Sequence, residues 1–309
     1  MEFLKVLEGI RNPFLDVIFR VFTEIAGEMV LLAILCVLYW CVSKKISYVM
    51  GFAFMGSQMV VNNLKLTFRI ERPWILDPTL NVSESLKAGA TGYSFPSGHT
   101  CAAGSLYGAL AFKLRGIAWK IAALVIVIGV MFSRMYFGVH TPLDVCVAFV
   151  VTAFVVALCI IIDSKVEMTD SRRLALCIIF GVLAIASVVY AVVLTSTGTV
   201  EAANAADSSK MSGAALAFVI SWFVEVKYIN FNERGCKLPM QIVKVLIGVA
   251  GVLAIRTGLK ELFKLIGGGS EPLICGGIRY FFVVLFAMTF YPMVIKRFFT
   301  DKDKQQPAE

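Results

Sequence analysis

The chain has 309 residues, of which 59% are hydrophobic and 16% charged, against about 45–50% apolar and about 25% charged in a soluble domain. The uncharged runs Met29 to Val42, Ile121 to Met131 and Leu174 to Val193 exceed what one soluble core could bury, so the expected class is all-α, a polytopic transmembrane helical bundle. The excess of 29 Lys+Arg over 21 Asp+Glu is scattered through short loops between apolar runs, which excludes a nucleic-acid partner and fits a multi-pass membrane protein surrounded by membrane lipids.

In chain order, residues 1–27 read as one or two short amphipathic helices at a membrane surface, with Phe3, Leu4, Leu7, Ile10 and Phe14 on the greasy side. A buried re-entrant segment is the alternative. Candidate spans follow at about 25–43, 46–66, 98–114, 117–137, 142–162, 173–195, 211–229, 239–257 and 278–296, eight to nine in all. Lys244, Arg256 and Arg279 lie inside or at the edges of the last two. The linker 67–97 is the only long polar stretch among the first five spans; it reads as a cap over a site or as a simple surface loop. Most of the eight cysteines lie inside apolar runs without paired spacing, so they read as small buried hydrophobes rather than disulfides or metal ligands.

Positive charges orient the bundle. Lys44 and Lys45, Lys113 with Arg115 and Lys120, Lys165 with Arg172 and Arg173, Lys227 with Arg234 and Lys237, and Lys296 with Arg297, Lys302 and Lys304 recur after every second span. These positions are expected in the cytoplasm. Lys87, His99, His140 and Glu201 are expected on the opposite face, which makes the site extracytoplasmic and the location the plasma membrane.

Three segments on that face carry the candidate chemistry. Lys65 and Arg72 stand seven residues apart, two helical turns, and would share a helix face with Arg69 until Pro73 stops the helix. Such cations either snorkel toward headgroups or converge on an anion such as phosphate. Pro96-Ser97-Gly98-His99 opens a span: Ser97 is a good N-cap, the free N–H groups of a helix start suit an anion, and Gly98 permits close approach. A capped helix with an incidental histidine is the other reading. In the third segment Arg134 precedes His140 by six residues and Asp144 follows it by four. Asp144 either accepts the His140 ring N–H, leaving the other nitrogen a free lone pair, or serves as the carboxylate of a capping box with Thr141. Both roles can coexist. The only two histidines of the chain, His99 and His140, lie in these segments.

Taken together, Lys65/Arg72/Pro73, Pro96/Ser97/Gly98/His99 and Ser133/Arg134/His140/Asp144 resemble the Lys-x6-Arg-Pro, Pro-Ser-Gly-His and Ser-Arg-x5-His-x3-Asp motifs of the type 2 phosphatidic acid phosphatase family, related to bacterial acid phosphatases and vanadium haloperoxidases. The resemblance divides the chain into an N-terminal surface segment, 1–27, a phosphatase core within the first five to six spans, 28–162, and additional helices, 163–309. It implies a lipid phosphatase that acts on a phosphate monoester or diphosphate of a prenyl, glycerolipid or sphingoid lipid. It makes His140 the nucleophile that becomes phosphohistidine, Asp144 its orienting carboxylate and His99 the acid for the leaving group. Lys65, Arg72, Arg134, Ser97 and Gly98 would hold the phosphoryl oxygens. Three fixed cations and a helix start supply the charge stabilisation that phosphoryl transfer needs, so neither metal nor cofactor is expected. The rival readings are a phosphatase of a soluble phosphate such as a sugar phosphate, and a non-enzymatic lipid-binding or transport protein. The intact histidine pair argues against the latter.

Overall fold

The computed structural model describes residues 1–299; the expected cytoplasmic tail, with Lys302 and Lys304, lies outside the described residues. Fourteen α-helices are seen among them: α1 Glu2–Gly9, α2 Pro13–Ile25, α3 Glu28–Val37, α4 Lys44–Phe68, α5 Pro73–Leu76, α6 Glu84–Gly89, α7 Gly98–Lys113, α8 Ile117–Tyr136, α9 Pro142–Lys165, α10 Asp170–Ser196, α11 Ala202–Val224, α12 Leu238–Ile266, α13 Leu273–Leu285 and α14 Tyr291–Phe298. Single π-helical turns continue α3 over Leu38–Val42 and α11 over Glu225–Ile229, and join α13 to α14 over Phe286–Phe290. The all-helical multi-pass class expected from composition is the one observed.

Six helices are long and apolar enough to cross a membrane, or up to seven if the pair Pro13–Ile25 and Glu28–Val42, bent by 52°, is one span. The expected eight to nine spans included α4 and α7, which fall short for different reasons. The 16 residues of α7 reach about 24 Å, less than the roughly 30 Å of a hydrocarbon core. Ser57, Gln58, Asn62, Asn63 and Lys65 interrupt the apolar character of α4. Most of α7 is buried, and its Ala, Gly and Ser residues let neighbouring backbones approach: a Cβ on Gly104 would stand 3.0 Å from Thr152 Cγ2.

The chain forms two compact units. The first comprises Met1–Leu31, Phe52–Val166 and Tyr190–Ser208. Within it α7 packs on α8 and α9, and α1 and α2 pack on α8. The N-terminal helices are thus part of this unit's packing: Leu4 and Leu7 are buried with Leu80, Met135 and Val145, and Tyr136 donates to Asp16 Oδ1 at 2.7 Å. The second unit comprises Leu32–Gly51, Glu167–Val189 and the described residues from Ser209 to Phe299. Close approach and a buried ion pair organise it. Gly213 abuts the backbone of Gly277, Trp40 Nε1 donates to Ala287 O at 2.9 Å, and Lys44 bridges the fully buried Glu225 at 2.9 Å.

A tight turn separates α8 from α9 and delivers His140 to the site. Gly138 at its centre has φ of +70°, and a Cβ there would meet Arg11 Nη2 and Val82 Cγ2, both at 3.2 Å. Left-handed backbone costs an L-residue about 1–2 kcal/mol. Gly138→Ala should therefore lower Tm in detergent, whereas Gly9→Ala, with nothing within 4 Å, should leave it unchanged or slightly raised. Equal Tm values for the two variants would contradict this account.

Candidate active site

Local chemistry ends each contributing helix at one place. The last turn of α4 carries Lys65, and the Arg69 N–H closes it by donating to Lys65 O at 2.9 Å. Arg69 itself adopts φ of +51°, the left-handed conformation that terminates many helices. The helix therefore stops before Pro73, which instead begins α5. This corrects the expected shared face: Lys65 and Arg72 do not lie on one helix, and Arg69 is exposed. Arg72, the residue before proline, is extended at φ −67°, ψ 148°, as the ring of the next residue requires. That turn carries its side chain inward.

The linker holds Arg72 in place. Its Nε donates to Gly92 O at 3.0 Å and its Nη2 to Thr91 O at 2.7 Å. Nη1 reaches Val139 O at 3.1 Å and His140 Nε2 at 3.0 Å. Burial pushes the guanidinium down to about 10, which leaves it charged at neutral pH. The linker is thus a clasp around a site residue.

His140 is buried, and its tautomer follows from its neighbours. A guanidinium only donates, so Nε2 accepts from Arg72 and carries no proton. Nδ1 therefore bears the hydrogen, facing Asp144 Oδ2 at 3.3 Å and Ser94 Oγ at 3.4 Å. Burial first, and then the charges of Arg72, Arg134 and Lys65, hold this imidazole well below the ordinary histidine value of 6.5. It stays neutral at pH 7, with its lone pair on Nε2.

Asp144 fills both roles left open by the sequence. It completes a capping box with Thr141 at the start of α9, accepting from Thr141 N at 2.8 Å, and the same oxygen faces His140. Ser94 adds a 2.6 Å bond to that oxygen. The backbone carbonyl of Asp144 also accepts from Ser97 N at 3.0 Å, tying the second motif segment to the third. Ser97 caps α7. Gly98 lies where a Cβ would stand 3.6 Å from Lys65 Nζ, and Gln58 donates to its carbonyl at 3.3 Å.

The structure thus brings Lys65, Arg72, Ser97, Gly98, His99, Arg134, His140 and Asp144 together within the first unit. Two cations there have donors to spare. Lys65 and Arg134 are buried, and Arg134 Nε has no hydrogen-bond partner among the described residues. A buried guanidinium nitrogen left without an acceptor is costly, and an anion entering beside Arg134 would satisfy it. His99 is partly exposed and has its electrostatic neighbours in Arg134, His140 and Lys65. Sequence reasoning missed Ser94, Gln58, Thr91 and Asp207, whose Oδ2 accepts from Thr91 Oγ1 at 2.8 Å. None of these stands at a spacing that would have marked it.

Comparison with known proteins identifies the family of the chain. Residues 46–168 match the PAP2 superfamily model, and residues 209–303 match the transmembrane extension of PAP2 superfamily phosphatases. A probable sphingosine-1-phosphate phosphatase of Dictyostelium discoideum is 25% identical, across 97% of this chain and 74% of its own length. Among solved structures, Aquifex aeolicus LpxE is 26% identical with a TM-score of 0.45, covering 52% of this chain and 93% of that one. A transmembrane PAP2 type phosphatidylglycerolphosphate phosphatase from Bacillus subtilis is 24% identical with a TM-score of 0.47, covering 54% and 85%. With both models matched in order, and with the motif residues gathered within one membrane-spanning helical unit, the chain belongs to the PAP2 superfamily and is a multi-pass membrane phosphatase.

Proposed function

We propose that this protein hydrolyses a lipid phosphate through a phosphohistidine on His140, without a metal, at the extracytoplasmic face of the plasma membrane. The observation that carries the reading is the His140 ring. Its Nε2 lone pair points at Arg72, Asp144 sits behind Nδ1, and the donors of Lys65 and Arg134 stand nearby for a phosphoryl group.

Substrate entry gives Arg72 a phosphoryl oxygen in place of His140 Nε2, and that exchange uncovers the nucleophile. Nε2 then attacks phosphorus. The N–P bond forms as the P–O bond to the lipid alkoxide breaks, and His99 delivers a proton to the departing oxygen. Water, deprotonated by His99, next cleaves the N–P bond and releases phosphate. Lys65, Arg72, Arg134 and the start of α7, with Ser97 and the Gly98 N–H, hold the phosphoryl oxygens throughout. These cations supply the charge that a metal would otherwise bring.

A lipid substrate is supported by the membrane-spanning scaffold and by the Dictyostelium relative, whose name carries sphingosine-1-phosphate. A sphingoid phosphate is therefore the first member of the test panel, beside a phosphatidate and a prenyl diphosphate. Purified protein should release phosphate from long-chain members with EDTA present. Preference for a short-chain or sugar phosphate would instead favour a soluble substrate. Orthovanadate, which copies the five-coordinate arrangement at phosphorus, should inhibit tightly. Activity abolished by EDTA and restored by Mg²⁺ would refute the metal-free mechanism.

The alternation of basic loops supports the orientation. Cysteines placed singly at positions 87 and 201 of a cysteine-free variant should be labelled from outside, and those at 115 and 234 only from inside. Labelling of 87 and 201 from opposite sides would overturn it.

A further inference from the structure

Two carboxylates from outside the three motif segments act on the cation cluster: Glu24 on Arg134, and Asp207 on Lys65 and Arg72. Asp207 lies in the second turn of α11 and is partly buried. Its Oδ2 accepts from Thr91 Oγ1 at 2.8 Å. Asn62, one turn before Lys65 on α4, donates to its backbone carbonyl at 3.4 Å. The loop it touches is the one whose Thr91 and Gly92 carbonyls clasp Arg72. Gly92 holds φ of +65° there, with its Cβ position 3.4 Å from Asn204 O, so the start of α11 packs directly against this clasp. Among the described residues Asp207 is also the carboxylate that acts electrostatically on Lys65, and it shares Arg72 with Asp144. An ionisable residue inside a candidate span calls for such an explanation.

The two effects of Asp207 oppose each other. Through Thr91 it fixes the carbonyls that aim Arg72, which favours phosphate. Its negative charge disfavours the same phosphate. Asp144 and Glu24 act on Arg72 and Arg134, but Asp207 is the carboxylate that acts on Lys65; without it the cluster would hold product phosphate more tightly, and product release limits many enzymes.

We propose that Asp207 is a positioning residue of the phosphate site: it braces the Arg72 clasp through Thr91 and limits, by its charge, how tightly product phosphate is held. The proposal rests on Lys65, Arg72 and Arg134 being the phosphate-holding residues.

Two nearly isosteric variants separate the effects. Asp207→Asn keeps an acceptor for Thr91 and removes the charge; Thr91→Val keeps the charge and removes the donor. Orthophosphate binding to the full-length protein in detergent, measured by calorimetry, should tighten about tenfold in the first variant and weaken about fivefold in the second. In steady state Asp207→Asn should lower kcat and KM together, Thr91→Val should raise KM, and Thr91→Ser should restore wild-type values. A merely structural role would move both variants the same way. That result, no change in either, or any pattern without opposite shifts overturns the proposal. Turnover of lipid phosphates by the wild type is scored separately, so a failure of the functional reading shows in that assay and not in the calorimetry.

Discussion

Replacing His140 with alanine is expected to lower turnover by on the order of 10⁴-fold or more and to remove all acid-labile phosphate from the quenched enzyme. The expectation follows from how its two nitrogens are used. Nδ1 is engaged by Asp144 and Ser94, while Nε2 offers a lone pair to Arg72, a contact that a phosphoryl oxygen can replace. Alanine leaves the cations in place, so orthovanadate should still bind while chemistry stops. Asp144→Asn should hurt less, about 10²–10⁴-fold, because it disturbs tautomer and orientation but leaves the nucleophile. The pH dependence carries a sign. The His140 value is held well below 6.5, and protonation removes the attacking lone pair, so kcat/KM should fall on the acid side only well below pH 6.5. An acid limb at or above that value, or a phosphoenzyme that survives in His140→Ala, would show that another group is the nucleophile.

The helical class and the three motif segments were legible because each rests on local pattern. Apolar runs report spans, and Ser97 and Thr141 report helix starts whatever the tertiary fold. What lay outside the pattern depends on contacts between distant residues. Ser94 bonds Asp144 across 50 positions and Thr91 bonds Asp207 across 116, and no spacing announces either. The end of α4 is not legible for a backbone reason: the sequence predicts a continuous helix through Arg72, and a left-handed residue at Arg69 ends it, a conformation uncommon for arginine. The expected eight to nine spans are not confirmed, because a boundary drawn from apolar runs counts any helix of mixed character. The helix α7 has only 16 residues and α4 is interrupted by polar side chains, which leaves six helices, or up to seven, long and apolar enough to cross a membrane. The paired cation and carboxylate at Lys44 and Glu225 were likewise invisible, since the two lie in separate segments of ordinary composition.

Replacing His99 with alanine should expose a dependence on leaving group that His140→Ala lacks. His99 opens α7 beside the Ser97 cap, is partly exposed, and makes no side-chain hydrogen bond with a described residue. No carboxylate orients it, in contrast to His140, so it is suited to carrying a proton to a substrate rather than to attacking one. Its neighbours Arg134, His140, Lys65 and Arg72, and the positive end of the helix it begins, oppose a second charge at that place. On the mechanism proposed above, the incoming phosphoryl anion would offset that opposition, and the proton would arrive with the substrate, ready for the alkoxide. A lipid alkoxide needs it; a nitrophenolate does not. General acid catalysis contributes about 10²–10⁴-fold. His99→Ala should therefore lose about that much on a lipid phosphate and far less on nitrophenyl phosphate in the formation of phosphoenzyme. The second half of the reaction keeps its need for a base, so covalent phosphate should accumulate on His140 when nitrophenyl phosphate is supplied. Rapid quench followed by alkaline phosphopeptide analysis would detect it. A variant equally inactive on both substrates, with no trapped phosphate, would deny His99 the role of acid. Phosphate trapped in His140→Ala instead would reverse the assignment of the two histidines.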